Sequence, residues 1–190
     1  MIKQRVNKTL NDLEATFEKL IAVQETPENY TQVLSVITRD ASDIHALAVH
    51  LAYEKGELKG MTKPLQEMLH QVSLVVANLV ALSQRVKQLE HLHLVNLVSH
   101  LDMLRQHTLT FLKQEKSLVP ADLQTLPIGF EEDFVELISK ATSEQKVVLA
   151  ALKMDVRHFI ANILAVKLLW QQIQQGNKEI PIEITAITTK

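Results

Sequence analysis

Four histidines fall within EHLHLVNLVSHLDMLRQH, residues 90–107, and a Glu-x-x-His pair opens the stretch at Glu90 and His93. Residues three apart on a helix share a face. A carboxylate and an imidazole at that spacing can therefore grip one metal ion together. Two such pairs and two further carboxylates form the di-iron pattern of ferritin-like four-helix bundles. A looser counterpart stands at Asp155 and His158, and Glu14 or Glu18 with Asp40 or Asp43 would complete the set. Glu90, His93, Asp155 and His158 are thus the candidate metal ligands. Charged residues and eight histidines on long helices also generate such pairs by chance. The leading expectation is therefore histidines at the margin of an apolar face, with no cofactor.

His93, His100 and His107 are seven residues apart, about 10.5 Å along a helix axis. They form a line beside an apolar stripe centred on Leu101. No single zinc ion can bridge that line, because its ligand nitrogens must lie within about 2.1 Å of it. The line can instead titrate, since histidine changes charge near pH 6.5 or so, and a proton switch is its functional reading. His50 and Glu54 have the His-x-x-x-Glu spacing of a hemerythrin-like ligand pair, and His50 is also a phosphotransfer candidate. A single copy is a weak signal for either. The four glycines are scattered and make no phosphate loop, and no serine sits in a nucleophile elbow. No catalytic residue is expected.

The elements that must position these residues follow from the punctuation. The chain has 190 residues with only 4 Gly and 5 Pro, and long periodic runs between few breakers mean helices. Val6, Leu10, Leu13, Phe17 and Leu20 form one stripe. Thr26–Pro27 reads as the start of a second helix, with Tyr30, Val33, Ile37, Ile44, Leu47 and Leu51 inward and Gly56 as its stop. From Thr62 onward a stripe runs through Leu65, Met68, Val72, Val75, Leu79, Leu82, Val86 and Leu89. A second, at Leu94, Leu97, Leu101, Leu104 and Phe111, is out of phase with it by one residue. An unbroken helix over 62–117 would be about 84 Å long, so a bend or turn is expected near residues 90–93; one long projecting helix is the alternative.

The last segment opens with Phe130 and three acids, which suit a helix N-terminus. Thr142 and Gln145 have capping-box spacing for a further helix, with Leu152, Val156, Phe159, Ile163, Val166, Trp170 and Ile173 inward. Ile180, Ile182 and Ile184 then alternate with other residues in a strand-like manner. The expected fold is all-α: an antiparallel bundle of four to six long helices over 1–175, with a short extended or disordered C-terminal tail over 176–190. That tail could add to the sheet edge of another protein or fold back over the bundle.

Composition narrows the function. Lys+Arg number 20 against 22 Asp+Glu, and aromatics make up 4%, so neither a basic field nor stacking platforms favour nucleic acid. The absence of cysteine excludes disulfides, thiolate metal sites and a cysteine nucleophile. The N-terminus MIKQRVNKTLNDLE lacks a secretory h-region, and no unbroken apolar run approaches the ~18 residues of a membrane span. The expectation is a cytoplasmic protein, with export by a route needing no cleaved signal left open. Val76, Val95, Val98, Leu109 and Leu112, then Val147, Leu149, Ile160, Leu168 and Leu169, widen the apolar faces beyond one seam. Such faces want further neighbours, internal or from a partner. The sequence therefore points to a non-enzymatic adaptor, chaperone or regulator. It would bind another protein or itself, for instance an amphipathic helix in a groove. The carboxylate–histidine metal bundle is the alternative.

Overall fold

The computed structural model describes residues 2–21, 32, 35, 36, 38–40, 42, 43, 46 and 60–188. Among these residues the protein is all-α, with no strand. The helices are α1 (Ile2–Ile21), α2 (Thr62–His91), α3 (Val98–Leu112), α4 (Phe130–Lys140), α5 (Ser143–Gln174) and α6 (Ile182–Thr188). The described positions between 32 and 46 are also helical. The expected start at Thr26–Pro27, the stripe from Tyr30 to Leu51, the Gly56 stop and the His50–Glu54 pair lie outside the described residues.

The long stripe of α2 is buried at every position from Leu65 to Leu89. It packs on α5, and three polar contacts fix their direction. Asn162 donates to Asn78 at 2.7 Å, Arg85 to Asp155 at 3.1 Å, and Gln145 to the Leu92 carbonyl at 3.1 Å. Residue numbers rise on one helix as they fall on the other, so the pair is antiparallel. By length and composition α2 is apolar enough to cross a membrane. Its apolar stripe is occupied by α5, as in the core helix of a folded domain.

The expected break occurs where the two stripes lose phase. α2 ends at His91, His93 adopts the left-handed conformation (φ 57°), and Leu94–Leu97 form a 3₁₀ turn before α3. The turn lets Leu89 and then Leu94, Leu97, Leu101 and Leu104 all enter the core. A straight helix would carry the second set around its axis and out into solvent. α3 returns beside α1 and α4. Phe17 of α1 stacks on Phe159 of α5, centroids 4.5 Å apart and planes within 6°, closing the core between them.

α4 begins after Gly129, whose φ of 86° suits a residue without Cβ. α5 begins with the expected capping box. The Gln145 N–H donates to the Thr142 hydroxyl at 3.2 Å, and the Thr142 N–H donates to the Gln145 side chain at 2.9 Å. The tail departs from the expectation of an extended or disordered segment: Ile182–Thr188 is helical and Ile184 is fully buried. It packs on α5 and on the 3₁₀ turn Pro120–Gln124. With no strand beside it, an extended tail would leave its backbone groups unpaired, whereas a helix pairs them internally. Pro181 suits the helix start, its carbonyl accepting from the Ile184 N–H at 3.1 Å. Ile182, in phase with Ile184 on a strand, points instead to solvent.

Candidate functional site

The metal-ligand candidates are dispersed. Glu90 lies exposed in the last turn of α2, and His93 is exposed in the turn beyond it. Asp155 is engaged by Arg85, and His158 is exposed on α5. Of the supporting carboxylates, Glu14 pairs with Lys167, Glu18 with Arg105 at 3.7 Å, Asp40 with Lys8 at 2.7 Å and Asp43 with Arg5 at 3.3 Å. Apart from Glu90, each acid faces a cation from another helix. A di-metal centre instead needs its acids converging on one point. Among the described residues no group of three or more His, Asp or Glu could hold a metal ion.

The histidine line resolves into three environments. His93 is exposed and in a left-handed turn, His100 is half-buried, and His107 holds an acid. The His107 Nδ1 lies 2.7 Å from Oδ2 of Asp133, a buried carboxylate in the first turn of α4. The imidazole edge thus meets α4 just after the Gly129 turn that aims it.

The apolar surplus proves mostly internal. Leu109, Leu112, Leu149, Ile160, Leu168 and Leu169 are buried, and Val76 is half-buried against the core. Val95, Val98 and Val147 stay exposed. Further exposed apolar side chains stand on α4 and α5, two helices joined by ion pairs. Glu131 of α4 ion-pairs with Lys153 and, at 3.8 Å, with Arg157, both on α5. Lys153 also sits 5.9 Å over the ring of Phe134. The Lys153 ammonium, donating directly to Glu131, draws that carboxyl below the usual range. Val135 and Ile138 follow Glu131 by four and seven residues, so they share its face of α4. Val147 and Met154 are themselves seven apart, on the outer face of α5. Val135 is 65% exposed, Ile138 38%, Val147 74% and Met154 50%.

Of these four, only Val147 stood out in the sequence. Val135 and Ile138 each follow an inward residue, Phe134 and Leu137, and were not singled out. No protein-family model, curated protein or solved structure matches the chain.

Proposed function

We propose that this protein is a non-enzymatic interaction module, a helical bundle that seats an amphipathic partner helix along the face shared by α4 and α5. The observation that supports the reading is the run of exposed apolar side chains Val135, Ile138, Val147 and Met154. Surface ion pairs of Glu131 with Lys153 and Arg157 join these two helices.

Magnitudes say what the partner must bring. Fully covering a Val, Ile or Met side chain contributes roughly 1.5–3 kcal/mol. Association costs on the order of 4–15 kcal/mol in lost freedom. Four partly covered residues are therefore an anchor and not a complete interface. Lys146, exposed beside Val147, and Arg157 supply cations at the rim. A partner helix with an apolar stripe flanked by Asp or Glu fits both features. Rim charges of this kind set orientation and on-rate more than affinity.

Native mass spectrometry on the protein recovered gently from its own cells tests the reading, alongside the V135D/V147D variant. The expected result is a second polypeptide on the unaltered chain that is lost from the variant, with the thermal unfolding of the variant unchanged. Equal retention by the variant would place the interface elsewhere. A bound pair of transition-metal ions per chain would favour the carboxylate–histidine reading instead.

A further inference from the structure

The 3₁₀ turn Pro120–Gln124 packs on both α5 and the tail helix α6. Its Asp122, with Thr125 just beyond it, lines a cleft of about 160 Å³ that Leu164, Lys167 and Gln171 of α5 help to enclose. The turn is closed by its own bonds. The Asp122 N–H donates to the Val119 carbonyl at 2.9 Å, and the Thr125 N–H donates to the Asp122 carbonyl at 3.1 Å. Leu123 is the buried residue of the turn. A turn with so small a share of the core depends on its neighbours to stay in place.

The tail reaches that turn over an exposed run. α5 ends as Gly176 turns left-handed, φ 77°, and the Asn177 N–H returns to the Gln172 carbonyl at 2.9 Å. Every residue from Gln174 to Glu179 is exposed. Ile180 is half-buried against the core and Ile184 is fully buried, whereas Ile182, Glu183 and Thr185 face solvent. Among the described side chains of α6, Ile184 is thus the anchor. One buried isoleucine roughly offsets the backbone ordering of one or two residues. A helix of seven residues does not hold itself together in water. Docked and undocked tails are therefore close in free energy, and exchanging them does not require the bundle to open.

We propose that α6 is a strap on the cleft. Seating Ile184 braces the Pro120–Gln124 wall, and releasing it frees that wall and opens the cleft while the α2–α5 core stays folded. The exposed run from Gln174 to Glu179 is the tether on which the strap swings. None of these residues belongs to the α4–α5 face, so neither proposal depends on the other.

Amide hydrogen exchange followed by NMR on the whole chain tests the strap, in the unaltered protein and in I184A and I182A. In the unaltered protein the α6 amides should exchange about a hundredfold faster than those in the middle of α5, as suits an element that opens alone. I184A should speed exchange at Asp122 and Thr125 by about tenfold, since it removes most of the anchoring apolar area. The middle of α2 and of α5 should be unaffected. I182A, altered at an exposed position of the same helix, should change neither the tail nor the turn. The strap would be overturned by α6 amides as protected as the α5 core, or by unchanged exchange at Asp122 and Thr125 in I184A. Equal acceleration throughout α5, or loss of the native spectrum in I184A, would overturn it by making the tail part of the cooperative core. Matching effects of I182A and I184A would overturn it by removing the special place of Ile184.

Discussion

The imidazole Nδ1 of His107 sits 2.7 Å from the Oδ2 of Asp133, joining the middle of α3 to the first turn of α4. A carboxylate only accepts, so Nδ1 carries the proton and donates. Replacing His107 by Ala strands a buried acid, and the unfolding free energy should fall by about 1–3 kcal/mol. His93 behaves oppositely. Its left-handed backbone, φ 57°, costs a non-glycine residue roughly 1 kcal/mol. H93G should therefore raise the urea midpoint while H107A lowers it. Two histidines that look alike in the sequence would separate in sign. Loss of stability in H93G would mean that the turn does not hold that conformation in solution.

A second prediction concerns Gln145, which is buried where α2, α4 and α5 come together. Beyond its capping role it donates to the Leu92 carbonyl and exchanges bonds with Asn96, which itself donates to the Lys140 carbonyl at 2.6 Å. Q145A removes the cap, the partner of a helix-terminal carbonyl and the partner of Asn96 together. A loss of about 3 kcal/mol is expected, since each buried unpaired group costs roughly 1–3 kcal/mol. T142A, which loses the capping hydroxyl together with an exposed methyl, should cost about 1 kcal/mol. Equal losses would show that Gln145 acts only as a cap. Thermal unfolding of the two variants side by side measures the difference.

These two cases show what was legible in the sequence. Local patterns were: the α2 stripe, the loss of phase at 90–93 and the Thr142–Gln145 box each depend on residues close in sequence. The arrangement of the di-metal candidates was not legible, for the complementary reason. Whether Asp155 meets a histidine or Arg85 depends on the register of two helices seventy residues apart, and spacing within one helix says nothing about that register. The tail misleads differently. Alternation at Ile180, Ile182 and Ile184 implies a strand only where another edge can pair with it, and the described chain offers none.

The pH dependence should have both limbs. The Val119 N–H and then Lys116 hold the Asp122 carboxyl below its ordinary range, and Lys153 does the same for Glu131. A depressed folded pKa means that the contribution is complete above the unfolded value and is lost as pH falls through the folded one. Lys8 is raised by its bonds to Asp40 and then Asp12. Its contribution is complete below the unfolded value of 10.5 and is lost as pH climbs through the folded one. D122N/E131Q should flatten the acid limb of stability against pH and leave the alkaline limb alone. K8M should do the reverse. Both effects should be small and salt-sensitive, since these groups are solvent-screened. Urea midpoints across pH at two ionic strengths would show it, and a D122N/E131Q profile that superimposes on the unaltered one would refute it.

The α2–α5 seam carries the last prediction. Asn78 and Arg85 are seven apart on α2, as are Asp155 and Asn162 on α5, and they meet as two polar rungs between the apolar stripes of the two helices. Shifting either helix by one turn would set Asn162 and Asp155 against leucine or valine. The rungs therefore penalise wrong registers more than they stabilise the right one. Asn162 also has a buried carbonyl oxygen without a partner, so its own pairing is incomplete. N162L alone should cost about 1 kcal/mol by leaving Asn78 unpaired. N78L/N162L should recover that loss or exceed the unaltered stability, because an apolar pair needs no hydrogen bonds. The gain should come with a looser seam, seen as faster amide exchange in the middle of α5. A double variant less stable than N162L would mean that the two asparagines contribute net stability, and that register is held by the leucines alone.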